Sequence, residues 1–402
     1  MLTLAQRRVL TAIEAGHNVL VTGPGGVGKS TIIGEIAPPV YITAMTGAAA
    51  VLIGGRTLHS CLGIGLAKEG KRDLTNKVNA NATSRKAWLD CKTLVVDEVS
   101  MLSASLLDKL DYVARKVRAS DSPFGGIQLV LSGDFLQLPC IEDSFCFEAN
   151  SWSSLSLRVF VLDEIQRQVD VTFQDALNRA RFGKLTKADI SYLCSKRQTD
   201  DDDGIVPTRI MCLNVDVDKI NAKELAKLAV DETNTYEMEI DNKNPRFKIY
   251  AKNYCNAVES LTLAVGANVM LLVNTNQAIG LVNGSRGVVA GFDSDDLPVV
   301  KFVCGAVMTI GYHTWEAKHG GSLIGKIHAI PLRLAYAITC HKSQGATIDK
   351  AVVDLAGVFE YGQAYVALSR VRSLEALTLT NATTESFQAH PTAIAYYESL
   401  IN

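Results

Sequence analysis

The sequence predicts an α/β protein: two parallel-sheet domains with a small β insertion in the second. Three observations carry this. Short apolar runs alternate with helical stretches over residues 1–165, the rhythm of a parallel sheet covered by helices. A glycine-rich loop, Gly23–Ser30, stands between one such run and a helical stretch. From Val265 to about Ile310 the texture changes to close-set β runs with turn signals, and after Pro331 the α/β rhythm returns.

Each element follows in order. MLTLAQRRVLTAIEAG reads as an amphipathic helix ending near Gly16, with no signal-peptide layout. The strands NVLVTG from Asn18, TLVVDE from Thr93 and IQLVLSGD from Ile127 are apolar throughout, as strands buried on both faces must be. Residues 66–88 interrupt them with a polar segment. Six basic side chains (Lys68, Lys71, Arg72, Lys77, Arg85, Lys86) stand there against two acidic ones, and the segment reads as an excursion from the sheet, not core. The run Asp200–Asp203 before Gly204 reads as a solvated loop. Asn283-Gly284 is a hairpin dipeptide, followed closely by GVVAGF, PVVKFV and AVMTI; these runs predict a small inserted β-barrel. KAVVDLA and ALTLTNA then read as buried strands. The expected division is 1–165 for the first α/β domain, 166–264 with 325–402 for the second, and 265–324 for the barrel.

Composition bounds the function. A chain of 402 residues suits two or three domains. Hydrophobic residues at 48% and charged residues at 20% allow an ordinary core in each. No apolar run approaches the roughly 18–20 residues that span a bilayer, so a soluble intracellular protein without a membrane partner is expected. Nine cysteines are scattered singly, without metal-type spacing, which points to free thiols in a reducing compartment. A net charge of −2 argues against a tight, nonspecific duplex binder. It leaves room for a protein that grips one strand through local contacts.

The strongest motif is Gly23-Pro-Gly-Gly-Val-Gly28-Lys29-Ser30, which fits G-x-x-x-x-G-K-[ST] in a strand–loop–helix setting. Glycines let backbone N–H groups turn inward around phosphates, and the helix N-terminus adds partial positive charge. Lys29 offers an ammonium to the β- and γ-phosphates, and Ser30 a hydroxyl to Mg²⁺. ATP and Mg²⁺ are therefore the expected ligands. Asp97 and Glu98 close the strand TLVV, where an acid points into a nucleotide crevice. Asp97 would hold Mg²⁺ through water, and Glu98 would take a proton from the attacking water. Alone, such a pair is as often a helix cap. A third strand ends in Ser132-Gly-Asp134-Phe-Leu-Gln137, where Asp134 and Gln137 would lie beside the γ-phosphate; a plain strand-end turn competes evenly.

The motifs GPGGVGKS, ITAMTGAAA, RTLHSCLGIG, VVDEVSML, SGDFLQLP, LDEIQRQ, ITCHKSQGAT and QAYVALSRVRS stand in this order. Together they resemble the helicases of the Pif family, the superfamily-one group that includes RecD-like enzymes. The stretch SASLLDKLDYVARKVR resembles that family's signature segment. The resemblance runs from Gln6 to about Leu379. It implies two RecA-like P-loop NTPase domains with the barrel inserted. It also implies an ATP-dependent DNA helicase that moves 5′-to-3′ on single-stranded DNA and opens forked or tailed duplexes, as a monomer. Gln6 resembles the glutamine that reads adenine; a surface helix residue is the alternative. The nucleotide set is then Gln6, Gly23, Gly25, Gly26, Val27, Gly28, Lys29, Ser30, Thr31 and Gly345. Arg167 and Arg370 resemble the arginines that reach the γ-phosphate, a role suited to a fixed, forked charge. Arg372 reads better as a surface residue. Gln344 and Gly345 belong to a motif that faces both ATP and DNA. Cys140 stands where the family commonly has a second proline, and Ala48 where a larger aliphatic is usual.

The resemblance also supplies the DNA contacts. Thr43, Thr46 and Gly47 match the first DNA loop, Thr57, His59 and Ser60 the next, and His341, Lys342 and Ser343 that of the second domain. Small hydroxyls and backbone N–H groups can hold phosphates without reading sequence. Phe135 could stack on a base or simply pack. Residues 66–88 resemble a small wedge insertion, with a solvated polar loop as equal competitor. A P-loop ATPase that remodels DNA or protein without strand separation is the rival function; the paired loops around Thr46 and His341 favour the helicase. A small-molecule kinase leaves CHKSQG unexplained, and a nonenzymatic module leaves Lys29, Asp97 and Glu98 unexplained.

Overall fold

The computed structural model describes residues 2–140, 143–195, 206–212, 214–228, 233–242, 247, 255, 257–275, 281, 283–319 and 322–401. The acidic run 200–203 lies outside them. The chain forms two compact units, Met1–Gln166 with Glu316–Gly325, and Arg167–Trp315 with Lys326–Asn402.

The first unit begins with α1 (Leu4–Glu14), which ends before Gly16 as the sequence predicts. Thr3 and Gln6 close a capping box at its start. The next elements are β1 (Val19–Thr22), α2 (Lys29–Gly34), β2 (Val40–Ala44), α3 (Gly47–Leu52), β3 (Arg56–Thr57), α4 (Leu58–Cys61), α5 (Lys71–Ala80) and α6 (Ala82–Asp90). Then come β4 (Thr93–Asp97), α7 (Ala104–Arg118), β5 (Gln128–Gly133) and β6 (Arg158–Val161). The six strands run in the order β3-β2-β4-β5-β1-β6, and every pair is parallel. Val19, Leu20, Leu94, Val95 and Leu131 are fully buried, which is why their strands read as unbroken apolar runs.

Residues 66–88 differ from the expected polar excursion. They fold mostly as α5 and α6, and α5 and α6 pack on each other and on α7. Leu74, Val78, Ala87 and Trp88 are fully buried, and Trp88 Nε1 donates to Leu62 O at 3.0 Å. Four apolar positions at helical spacing suffice to dock a segment whose remaining surface is charged. The solvated-loop alternative therefore falls.

The second unit contains α8 (Val171–Arg181), α9 (Lys187–Leu193), β7 (Thr208–Met211), α10 (Asn214–Leu225), β8 (Thr233–Glu237), β9 (Glu239–Asp241) and β10 (Ser260–Ala264). β11 (Asn268–Leu271), β12 (Arg286–Phe292), β13 (Pro298–Phe302), β14 (Val307–Thr309), β17 (Leu332–Leu334) and β18 (Ala337–Thr339) follow, while the division between the units falls within β15 (His313–His319) and β16 (Ser322–Ala329). The chain closes with α11 (Cys340–Ser343), β19 (Ala351–Asp354), α12 (Gln363–Leu368), β20 (Leu377–Thr380) and α13 (Pro391–Ile401). A four-stranded parallel sheet runs β18-β7-β19-β20. The segment expected as a barrel supplies four strands of a five-stranded antiparallel sheet, β14-β13-β12-β11-β17. Among the described residues its edge strands do not pair with each other. The small sheets β10-β8 and β15-β16-β9 complete the β content of the described residues. Arg286, fully buried on β12, donates to Lys350 O at 3.0 Å and to Val206 O, fastening this sheet to the strands of the parallel one.

Candidate active site

The glycine-rich loop takes the shape its glycines allow. Gly23, Gly26 and Gly28 have φ of 139°, 90° and 81°, where a Cβ is strained. Gly23 also leaves no room for one, since its Cβ would fall on Leu162 O. A Cβ on Gly28 would meet Gln6 Nε2 at 2.4 Å and Gln166 Oε1 at 3.3 Å. Val27 is buried beneath the loop, while Gly25 is half-buried and Ser30 and Thr31 are exposed at the start of α2. Lys29 Nζ folds back onto Gly23 O at 2.7 Å and Pro24 O at 2.8 Å.

Gln6 is 2% exposed, so the surface alternative fails. Its Oε1 accepts from Thr3 N at 2.9 Å and its Nε2 donates to Val27 O at 3.1 Å. The amide thus joins α1 to the loop and keeps one N–H and one lone pair beyond those bonds. Gln166, which sequence reasoning missed, donates its backbone N–H to Gly26 O at 2.9 Å.

Asp97 ends β4 and is 6% exposed. Burial raises its pKa, with Lys29 pulling the other way. Glu98 has φ 56° and ψ 49°, a left-handed backbone that costs a non-glycine residue of the order of 1 kcal/mol. Gly133, at the end of β5, comes so close that its Cβ would lie 2.7 Å from Val99 N. Asp134 is fully buried and Gln137 is 5% exposed. The carboxylate of Asp134 accepts from Leu136 N at 3.1 Å, and its carbonyl from Gln137 N at 3.0 Å. The third strand thus runs into a turn, and that turn holds Gln137 in place. Phe135 is fully buried, edge-on to Phe145 and Phe147 with centroids at 5.9 Å and 4.9 Å. It packs, and stacking on a base is excluded. Cys140 directs its thiol to Asp143 O at 3.2 Å and Ser144 O at 3.3 Å.

Within the second unit, Arg167 and Arg370 meet at one residue. Arg167 Nη1 donates to Ser369 O at 2.9 Å, and Arg370 Nη2 to Ser369 Oγ at 2.8 Å. Arg370 is 2% exposed and also donates from Nε to Val366 O at 2.9 Å. Gln168, missed in the sequence, holds this junction: its Nε2 donates to Val371 O at 2.7 Å and to Ser369 O at 3.3 Å. Its Oε1 is buried without a hydrogen-bond partner. Arg372 stands 3.7 Å from Asp349, as a surface pair. Gly345 has φ 78°, and Gln344 is 4% exposed.

The DNA-loop residues divide. Thr46, Thr57 and Thr339 are N-caps of α3, α4 and α11, accepting from Ala49 N, Ser60 N and Lys342 N. Gly47 is the first residue of α3, and Ala48 lies within that helix. Thr43 is fully buried in β2 and donates to Val95 O at 2.5 Å. Ser343 is fully buried and donates to Cys340 O at 2.7 Å. Both hydroxyls are thus engaged inside the protein. Ser60 Oγ is buried without a partner. Burial lowers the His59 pKa. His341 is exposed, with Nε2 3.3 Å from Glu360 Oε2, and Lys342 is exposed beside it. Among the described residues no group of three or more His, Cys, Asp and Glu side chains could hold a metal. None of their helices is long and apolar enough to cross a membrane.

A parallel sheet whose first strand runs into this loop, with an acidic pair at the end of β4 two places away in the sheet, defines the P-loop NTPase class of fold. The model for PIF1-like helicases matches residues 1–189, and that for the DNA helicase Pif1 2B domain residues 251–292. The chain is 40% identical to the ATP-dependent DNA helicase PIF1 of Danio rerio over 99% of its own length. It spans 64% of that protein's length. Among solved structures, the Pif1 helicase of Candida albicans is 33% identical with a TM-score of 0.82, covering 100% of this chain and 99% of that one. Bacteroides sp Pif1 in complex with ADP-AlF4 is 30% identical with a TM-score of 0.85, covering 100% and 97%; another structure shows Bacteroides Pif1 bound to ssDNA. The chain belongs to the PIF1-like helicase family.

Proposed function

We propose that the chain hydrolyses ATP with Mg²⁺ to translocate 5′-to-3′ on single-stranded DNA and unwind forked or tailed duplexes. The reading assigns residues 1–165 to one RecA-like domain, 166–264 with 325–402 to the other, and 265–324 to the inserted β domain. The observation that carries it is the loop Gly23–Ser30 in its phosphate-wrapping conformation, placed with Asp97 and the strained Glu98 on one parallel sheet.

The site fits its ligands. Gly23 and Gly28 keep open a cradle that a Cβ would fill. The Ser30 hydroxyl and Asp97 carboxylate are hard oxygen donors of the kind Mg²⁺ takes. A cation would also offset the burial that raises Asp97. When bound, Mg²⁺ neutralises charge on the β- and γ-phosphates. Lys29 exchanges its two carbonyl partners for phosphate oxygens. Glu98 accepts the proton of the attacking water, Gln137 senses the γ-phosphate, and Arg167 and Arg370 serve the same phosphate on the family's pattern. Thr46, Gly47, Thr57, His59, Ser60, His341 and Lys342 contact the strand. The relative from Bacteroides, solved with ADP-AlF4 and with ssDNA, supports both ligand classes.

The test is strand displacement with ATP on duplexes carrying a 5′ or a 3′ tail. Opening of the 5′-tailed substrate alone is expected. ATP hydrolysis on single strands without opening of either duplex would replace this reading with the remodelling ATPase.

A further inference from the structure

A cavity of about 390 Å³ opens in the second unit between α10, β10, β17 and β18, and its lining includes Arg333 and Lys342, close enough to interact electrostatically. Its other walls are mostly apolar and include Val217, Leu225, Leu261 and Ile338. The polar side chains on those walls are already committed. The Asn221 amide clamps the backbone of Ala337, donating to its carbonyl at 2.9 Å and accepting from its N–H at 3.0 Å. Ser260 Oγ donates to Glu237 at 2.6 Å, and Thr262 pairs with Thr235 at 2.9 Å.

The two cations are not committed. Among the described residues neither the Arg333 guanidinium nor the Lys342 ammonium makes a hydrogen bond or ion pair. Each is held below its ordinary pKa, first by burial, and Arg333 further depresses Lys342. One carboxylate, the exposed Asp218, faces both. Two like charges brought together beside one exposed acid leave a positive rim on an apolar hole. An anion relieves that repulsion. A mononucleotide unit supplies the anion and, in its base, a flat apolar body for the remaining volume.

We propose that this cavity is a nucleotide pocket on the path of the single strand. One phosphodiester lies between Arg333 and Lys342, and the adjoining base turns out of the stack into the space lined by Leu261 and Ile338. The proposal rests on the DNA-binding reading above, since Lys342 already belongs to a strand-contacting loop. It adds Arg333 as a contact and the base pocket as a site.

The experiment measures binding of an oligothymidylate over a range of salt concentrations. The same strand with one abasic position, moved along its length, is measured in parallel. The proteins are wild type, Arg333→Gln, and Ala222→Trp, which fills the cavity from an exposed position on α10. Thermal melting checks that each variant folds. Arg333→Gln should weaken binding about tenfold at low salt. It should also lower the slope of log K against log salt by about 0.7, the value for one phosphate on a single strand. One abasic position should carry a penalty in wild type, and Ala222→Trp should abolish that penalty. Normal affinity and slope in Arg333→Gln overturns the pocket. So does a reduced slope with a flat abasic scan, which would leave only a rim phosphate contact. A wild type that binds no single strand sinks this proposal and the helicase reading together, whereas a wild type that binds normally beside unaffected variants sinks the pocket alone.

Discussion

Glu98, the proton acceptor on the proposed reading, stands on a backbone that favours glycine. With φ at 56° it pays for its position before any ligand arrives. Glu98→Gln keeps the Cβ and the fold but cannot take a proton, so turnover should fall by roughly a hundredfold or more with nucleotide binding retained. Glu98→Gly should be as inactive, yet more stable to urea than Glu98→Ala by about 1 kcal/mol, because glycine accepts this conformation freely. Equal stability of the glycine and alanine variants would show that the backbone is not strained. Lys29, Asp97 and Glu98 were legible as candidates because each sits beside a short local pattern. The tasks of Gln166 and Gln168 were not, although both stand inside a quoted motif. Gln168 meets Ser369 and Val371, about two hundred residues away in sequence. Phe135 was ambiguous for the same reason: its partners Phe145 and Phe147 come from the next loop.

At the scale of elements, the three loops proposed to contact the strand share one construction. A strand ends, a threonine caps, and a short helix begins: β2-Thr46-α3, β3-Thr57-α4 and β18-Thr339-α11. The cap uses a lone pair of each hydroxyl and leaves its O–H to donate to a phosphate oxygen. Sequence reasoning saw the hydroxyls but not the caps. Thr46→Asp separates the two tasks, since aspartate caps as well as threonine but repels phosphate. Its melting should match wild type while single-strand affinity falls at least about tenfold. Thr46→Val should lose the cap as well, at about 1 kcal/mol. Normal binding by Thr46→Asp would remove this loop from the strand path. A second element is held by charge. Asp189 belongs to the capping box of α9 and pairs with Arg179 at 2.6 Å. The Arg179 guanidinium, first among its partners, holds the Asp189 pKa down at about 2. A depressed carboxylate stabilises above its unfolded pKa of about 3.9 and loses that contribution as pH falls through the folded value. Asp189→Asn should therefore lower urea stability at neutral pH, with the gap to wild type closing between about pH 4 and pH 2. A gap independent of pH would assign the loss to packing.

Across the whole molecule the charge is near balance, at −2, so any grip on DNA must come from where the cations stand. Alternation of apolar runs revealed both parallel sheets in the sequence, because strands buried on both faces leave that signature. It concealed α5 and α6, where the buried positions are few and lie among lysines and arginines. Their outer surface shows how the charges are spent. Lys77 pairs with Glu69 and Lys86 with Asp90, both at 2.6 Å, and Lys71 lies 5.0 Å over the Tyr112 ring. Lys68, Arg72 and Arg85 are exposed and, among the described residues, make no ion pair. A docked pair of helices fixes the backbone that carries Arg72 and Arg85, as a loop would not, and cations placed this way suit contact with a duplex at the point of separation. Arg72→Ala with Arg85→Ala removes two of them and touches neither the glycine-rich loop nor the capped threonines. ATPase stimulated by single strands should remain within about twofold of wild type, since exposed sites away from the core tolerate substitution. Duplex opening on a 5′-tailed substrate should slow severalfold and become less sensitive to salt. Opening at the wild-type rate across salt concentrations would show that α5 and α6 do not act as a wedge, leaving them a packing role against α7.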